Sequence, residues 1–207
     1  MKKLLFWIVV GILIWGGYKY YTTPRITLPA PNHDPAKVWQ DPIQKDLSGI
    51  RSLAFNRGKV KLMAEYEITG RVLIKTDYND GTQARIAPMD LAIGWSKMAD
   101  PNIYKKISHS QANRFYHPAY LSNKPPISNK QLNLNSANIH MIPASREVKA
   151  QLQNLRKEQI VTLKGYLVNY KETYPGGGWW GWKSSLTRTD TGAGACELMY
   201  IEHVIAY

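Results

Sequence analysis

Residues 60–76 read VKLMAEYEITGRVLIKT, and this stretch decides how the rest of the chain can fold. It is dense in β-branched and other apolar residues, which recur at every second position from Tyr66 to Ile74. A period of two is typical of a half-buried strand, and a glycine inside a strand marks a bend or a close approach. The sequence therefore predicts one long strand that bends near Gly70.

A second stretch, IVTLKGYLVNY at residues 160–170, is the clearest strand pattern in the chain. The segment DYNDG at residues 77–81 carries turn chemistry and predicts a hairpin after the first strand. The other predicted strands lie at residues 84–95, around 182–187 and at 196–206.

The region between the first hairpin and residue 160 has two parts. Residues 98–137 are polar and interrupted by prolines, which predicts a long ordered insertion. Ser145 then predicts a helix N-cap, because Val148, Leu152 and Leu155 follow with the spacing of a buried helical stripe.

These elements predict a β-rich (α+β) protein whose main domain is an antiparallel, OB-like small β-barrel or a barrel-like domain. It would carry one helix and the long insertion. A β-sandwich or a less regular α+β arrangement explains the same periodicities, so the topology stays open at this stage.

The N-terminus carries a different signal. Lys2 and Lys3 precede the apolar run LLFWIVVGILIWGG, which ends in aromatic residues without the small residues of a cleavage site. Residues 4–21 are just long enough to span a bilayer, so residues 1–21 predict an uncleaved signal-anchor helix. The basic start favours a single-pass protein of the inner (cytoplasmic) membrane whose C-terminal domain faces the periplasm or exterior.

Residues 22–47 contain five prolines, which predicts an extended tether between this helix and a domain at residues 48–207. The length of that domain suffices for one hydrophobic core without disulfides. Cys196, the single cysteine, is expected to be buried, since it lies in an apolar strand pattern.

The chain has a formal net charge of +12. Such an excess favours anionic partners, namely lipid headgroups, acidic envelope polymers or nucleic acid. The lysines are nevertheless scattered along the sequence, so a solvated surface explains the charge equally well.

Four segments are too specific to be generic surface: PMDLAIGWSKMADP (88–101), ISHSQANRFYHP (107–118), SANIHMIPA (136–144) and WKSSLTRTDTGAGACELMYIEHV (182–204). In order and spacing they resemble an uncharacterised group of bacterial single-pass envelope proteins. The resemblance covers most of residues 60–207. It implies an architecture and no chemistry.

The loop SSLTRTDTGAGACE at residues 184–197 is the first candidate site. Arg188 and the backbone N–H groups of such a loop could hold a phosphate or carboxylate, or the loop could be a tight turn that Asp190 organises. Asp190 could also pair with Arg188 or with Arg114 and hold the insertion to the barrel.

His140 could serve as the base of a hydrolytic triad with a serine and Asp190, but no nucleophile-elbow motif supports this. The histidines occur singly, without metal-ligand spacing. The sequence therefore predicts neither a catalytic residue, nor a metal site, nor a cofactor.

Aromatic residues form the remaining candidate site. Trp95 and several others flank the insertion, while Trp179 and Trp180 follow three glycines in PGGGWWGW at residues 175–182. A flexible tip that exposes two tryptophans is expected to contact a partner or the bilayer surface.

We interpret the chain as a membrane-anchored extracytoplasmic binding or assembly module, noncatalytic, for an envelope component, an envelope protein or an anionic lipid or polymer. The alternative is a periplasmic enzyme that acts on an envelope polymer through the insertion and the Ser/Thr/Asp loop. A third hypothesis, nucleic-acid binding at the membrane, rests on charge and the OB-like pattern alone and is the least favoured.

Overall fold

The structure, a computed structural model, describes residues 28–187 and 196–207, together with the isolated Trp7 and Gly11. Strands outweigh helices in it, so the predicted β-rich class is confirmed. The described residues form strands β1 (Ile43–Phe55), β2 (Gly58–Asp77), β3 (Met89–Gly94), β4 (Ile107–Ala112), β5 (Phe115–Tyr120), β6 (Ser136–Pro143), β7 (Ile160–Thr173), β8 (Trp179–Lys183) and β9 (Glu197–Ala206). They also form helices α1 (Gly81–Ile86), α2 (Pro101–Tyr104), α3 (Asn129–Leu134) and α4 (Arg146–Gln153), with 3₁₀ turns at Pro35–Trp39 and Ser96–Ala99.

Five strands close into a ring that resembles a barrel. Their order is β2, β3, β6, β9, β7, and β7 pairs back with β2. Four of these pairs are antiparallel, whereas β6 and β9 run parallel. Strand directions cannot alternate all the way around a closed ring with an odd number of strands, so one pair must be parallel. The expectation of an antiparallel barrel is therefore wrong for the pair β6–β9.

β2 and β7 are long enough to pair with strands outside the ring as well. Residues 58–67 of β2 pair with β1, with a register shift between Leu62 and Ala64, and residues 169–173 of β7 pair with β8. We call this four-stranded extension, in the order β1-β2-β7-β8, the wing. Gly70 lies where β2 closely approaches β3, since a side chain there would meet Ile93 at 2.5 Å and the Gly94 carbonyl oxygen at 2.9 Å.

Three apolar clusters hold these parts together, each named here by its fully or nearly fully buried members. The ring interior contains Ile68, Leu91, Ile139, Leu163 and Met199. The layer that joins the wing to β6 and β9 contains Leu62, Ile142, Tyr170 and Leu198. The layer beneath the insertion contains Leu73, Met98, Tyr104, Ile107 and Leu132.

The long insertion is ordered, as predicted, and it folds into the β4–β5 hairpin and α3. Ser128 begins α3 with a reciprocal capping box to Gln131. The Ser145 cap of α4 is confirmed as well, with its side chain accepting the Val148 N–H. Residues 81–86 form a short helix, however, where a strand beginning at residue 84 was expected.

The proline-rich segment does not hold the domain at a distance over residues 28–47. Leu28 packs against the wing layer, its N–H donates to Glu202 Oε2 (2.7 Å), and its carbonyl oxygen accepts from His203 Nε2 (2.7 Å). Val38 is buried, and β1 begins at Ile43. The packed part of the chain therefore starts twenty residues before residue 48, because apolar side chains between the prolines cover the sheet.

Within the described residues, no helix has the length and apolarity needed to cross a membrane. The predicted signal-anchor at residues 1–21 lies outside the described residues except for Trp7 and Gly11.

Candidate functional site

A buried polar cluster lies on the outer face of β3 and β6. Asp90 of β3 stands opposite His140 of β6, and its Oδ1 atom lies 2.9 Å from His140 Nδ1. The same oxygen accepts a second hydrogen bond from Arg114 Nη1 (2.9 Å). All three side chains are buried, and we call them the Asp90 cluster.

Arg114 reaches this cluster from an unusual turn. The β4–β5 hairpin has a two-residue loop, and Asn113 (φ 51°) and Arg114 (φ 70°) both take the left-handed conformation. Such turns favour Asn followed by Gly, so arginine at the second position is strained. The contacts of its side chain offset this strain and hold the insertion to the barrel.

Arg114 is fully engaged. Its Nη1 atom also donates to the Ala87 carbonyl oxygen (2.9 Å), and its guanidinium carbon lies 3.5 Å from the centroid of the Tyr78 ring. Burial, and then the nearby Asp90 carboxylate, raise the pKa of Tyr78 to about 12. The tyrosine therefore stays neutral and serves as a stacking surface for the cation.

The neighbours of the cluster are also polar. Asn138 Nδ2 donates to the Arg114 carbonyl oxygen (3.0 Å) and lies 3.8 Å from Cys196 Sγ. Cys196 is half-buried, so its predicted burial is met only in part. The Trp182 ring covers His140, with centroids 4.5 Å apart.

The sequence singled out His140 and Arg114 but missed Asp90, the residue that joins them. The available signal was an acidic residue inside the apolar run MDLAIG, all of which is buried in β3. A carboxylate at such a position needs a buried partner. Arg188 and Asp190 lie outside the described residues, so the proposals for residues 188–195 stay predictions.

The two serines considered as nucleophiles bond to the backbone. Ser184 Oγ donates to the Ser185 carbonyl oxygen (2.8 Å) and accepts from the Leu198 N–H (3.0 Å). Ser185 Oγ donates to the Thr187 carbonyl oxygen (2.8 Å). Both hydroxyls are therefore engaged with the backbone.

Trp95 belongs to the core rather than to a surface. It is buried in the ring cluster, and its Nε1 atom donates to Asp41 Oδ1 (3.0 Å). This bond fastens the N-terminal segment to the barrel.

The glycine-rich tip is a β-hairpin between β7 and β8. Gly176, Gly177 and Gly178 all have positive φ, which a non-glycine residue would adopt only with strain. Successive side chains of a strand point to opposite faces, so the two tryptophans lie on different sides of β8. Trp179 is 64% exposed, whereas Trp180 packs into the apolar layer that joins the wing to β6 and β9. The expectation of two exposed tryptophans therefore holds for Trp179 only.

The outer face of the wing forms a groove of about 710 Å³, which we call the basic groove. Its cations come from β2, β7, β8 and the turn before β2, and none of them forms a salt bridge with a described residue. No acidic residue contributes to the lining. The lining consists of Ser52, Arg57, Gly58, Lys59, Lys61, Asn169, Tyr170, Lys171, Thr173, Trp179, Gly181 and Lys183.

Strand register explains how scattered lysines converge on this groove. Lys59 pairs directly with Lys171, and Lys61 pairs with Asn169, which in turn pairs with Lys183. Like charges directly opposite each other destabilise a sheet. The sequence signal for this face was the alternation of lysines with apolar residues in KVKL at residues 59–62, which has the period of a strand.

Trp179 is held in place within the groove. Lys171 Nζ lies 5.1 Å from the centroid of its ring. The ring also extends over Gly181, where an added Cβ atom would lie 3.1 Å from ring atom Cζ3. The absence of a side chain at Gly181 therefore lets the indole lie across the sheet next to a cation.

Among the described residues, no group of three or more metal-binding side chains comes together. Comparisons with protein-family models, curated proteins and solved structures find no match to this chain.

Proposed function

We propose that this protein is a noncatalytic binding module that docks an anionic component of the cell envelope in the basic groove. Residues 4–21 would anchor it in the inner membrane, with the domain facing the periplasm or exterior. The observation that carries the proposal is a set of five exposed cations around one groove, unaccompanied by any acidic residue in its lining.

The electrostatic argument is specific to this face. On another face of the same sheet, two lysines share an acid: Lys37 and Lys164 both contact Glu67, at 2.8 and 3.4 Å. In the groove, Lys59 and Lys171 are cross-strand neighbours and have no such acid. An anionic ligand would relieve this repulsion, which supports a binding role over a solvated surface.

We further propose that the barrel is OB-like. Counted along the chain, the ring strands β2, β3, β6, β7 and β9 are the first to the fifth, and their order around the ring is 1-2-3-5-4. The third and fifth run parallel, and α4 lies between the third and fourth. OB domains bind ligands on the face of the second and third strands. Here the Asp90 cluster and the insertion cover that face, which supports a site elsewhere.

A periplasmic enzyme is the second candidate. The observation that favours it is the contact between Asp90 and His140, an acid that orients an imidazole. Against it, Asp90 also neutralises Arg114, and Ser184 and Ser185 are bonded to the backbone. These contacts favour a structural role for the cluster.

The binding proposal can be tested with inorganic polyphosphate as the probe and the full chain in neutral detergent. Replacing Lys59 and Lys171 with glutamate should weaken binding at least about tenfold, since it reverses two of five charges in one groove. A matched control replaces Lys105 and Lys106 with glutamate, since both are exposed between α2 and β4, and this changes the net charge equally. Equal losses in both variants would show that only overall charge matters and would contradict the proposal.

The topology can be tested separately with an alkaline phosphatase fused after Tyr207. We expect an active fusion and a membrane-bound product that begins at Met1. An inactive fusion or a processed soluble product would contradict the anchor.

A further inference from the structure

We infer that the ligand of the basic groove is a phosphate-bearing glycan, with one sugar ring stacked on Trp179 and its phosphates on the lysines. This inference rests on the proposed function and gives the ligand class. It starts from the one exposed aromatic ring in the groove, which is 64% accessible although it lies beside Lys171 and over Gly181.

An indole in this arrangement is a ready-made stacking surface. Lys171 and the gap at Gly181 restrict its position before any ligand arrives, so binding would cost little side-chain entropy. A flat exposed indole next to a cation fits a ligand that offers a ring face and an anionic group side by side. Polyphosphate and simple phosphate offer no ring.

Neutral polar groups stand between the cations. Ser52, Asn169 and Thr173 line the groove among the lysines. Asn169 Oδ1 accepts the Ser184 N–H (3.1 Å), which fixes the amide and directs its NH₂ group to other acceptors. Such groups suit the hydroxyls of a sugar.

The same composition favours a glycan over single-stranded nucleic acid. Grooves for single strands place several aromatic rings along the path so that successive bases stack. Tyr170, the other aromatic residue of the lining, is buried with its hydroxyl bonded to Glu172 (3.0 Å), so Trp179 provides the only exposed ring there. Four of the five cations are lysines, which bind phosphate as point charges, whereas arginine is the residue of choice for nucleic-acid recognition.

The test uses the full chain in neutral detergent with four probes: dextran phosphate, neutral dextran, inorganic polyphosphate and oligothymidylate. Trp179→Ala should weaken binding of dextran phosphate about tenfold, the size of one lost stacking contact, and should leave polyphosphate binding within about twofold. Trp179→Tyr should retain most of the affinity. Trp39→Ala is the matched control, because Trp39 is also exposed (54%) but lies outside the groove.

The outcomes separate this inference from the proposed function. If Trp179→Ala does not affect dextran phosphate while the Lys59 and Lys171 double variant loses it, the glycan inference fails and the anionic site stands. If no anionic probe binds, both fail. Tighter, Trp179-dependent binding of oligothymidylate would replace the glycan with nucleic acid and overturn the inference.

Discussion

The Asp90 cluster and the basic groove each place a cation against an aromatic ring, yet they differ in everything else. Arg114 lies 3.5 Å over Tyr78, is buried, and shares the Asp90 carboxylate with His140. Lys171 lies 5.1 Å over Trp179, is exposed, and forms no salt bridge with a described residue. Of these two cation–aromatic pairs, the buried one therefore has a carboxylate as counter-ion and the exposed one has none among the described residues.

The difference follows from solvation. A buried cation without a partner costs several kcal/mol, so Arg114 requires Asp90. An exposed cation is solvated by water and can remain unpaired at small cost, which leaves it able to bind an anion. The buried pair is thus explained by the fold alone, whereas the clustered unpaired lysines are free to take part in the binding proposed above.

The largest effect is expected in the Asp90 cluster. Arg114→Met should lower the free energy of unfolding by about 3 to 5 kcal/mol, because it removes the cation that pairs with a buried carboxylate. Urea unfolding followed by far-UV circular dichroism measures this change. Polyphosphate binding by the folded variant should be unaffected.

A double variant sharpens this result. Adding Asp90→Asn to Arg114→Met removes the unpaired charge and keeps an oxygen that can accept from His140, so part of the stability should return. A single Arg114→Met variant that loses less than about 1 kcal/mol would show that the pair is effectively solvated, and the contrast with the groove would disappear.

The next largest effect on stability is expected at Trp180, in contrast to the adjacent Trp179. Trp180→Ala should cost about 2 kcal/mol, less than a fully buried aromatic, because Trp180 is partly buried against Tyr170 and Trp182. Trp179→Ala should stay within about 0.5 kcal/mol of the parent, as expected for an exposed side chain. Thermal unfolding of the two variants measures the difference, and equal losses would mean that Trp179 also belongs to the core.

Glu67, on the same strand as Lys59 and Lys61, makes ion pairs whose contribution to stability should depend on pH. Burial alone would raise its pKa, but hydrogen bonds and charges from Lys37 and Lys164 outweigh burial and hold the pKa below its usual value. A carboxyl group whose pKa is lower in the folded state than in the unfolded state stabilises the fold at pH values above its unfolded-state pKa, about 4.5. This contribution to the free energy of unfolding is lost as the pH falls through the folded-state pKa.

We therefore expect Glu67→Gln to cost up to about 1 kcal/mol at pH 7 and progressively less toward pH 3. Urea unfolding across this range provides the measurement. A loss that does not change with pH would assign the effect to packing rather than to the ion pairs.

The smallest effect has the opposite sign. Lys59→Glu turns its cross-strand contact with Lys171 from like to opposite charge and should stabilise the domain by about 0.5 kcal/mol while it weakens polyanion binding. Lys59→Gln should lie between the parent and Lys59→Glu in both respects. A destabilised Lys59→Glu variant would show that the two lysines do not repel each other appreciably.

The sequence predicted those parts of the fold that depend on local signals. The Ser145 cap and the long strands β2 and β7 all follow from period and capping chemistry. The β4–β5 hairpin was not foreseen, because its turn uses Arg114 where the left-handed position normally indicates glycine.

The candidate site was predicted only in part, because it depends on contacts between residues that are distant in sequence. His140 and Arg114 were named, but their connection through Asp90 depends on the register of β3 and β6 and on the path of the insertion. The groove depends on β2 and β7 pairing between residues 59–71 and 160–171, which brings together lysines that are scattered in sequence. Local patterns carry no information about such distant pairs.

That distant pairing also sets the order in which the chain can fold. The β1–β2 ribbon can form early because a short turn joins its strands, but its apolar residues Val60 and Leu62 belong to a cluster with Ile142 and Leu198, which come much later in the chain. A half-made sheet of this kind is prone to aggregate during synthesis. Lys59 and Lys61 alternate with these apolar residues and are exposed on the opposite face, and lysines placed in this way disfavour the pairing of a strand with copies of itself.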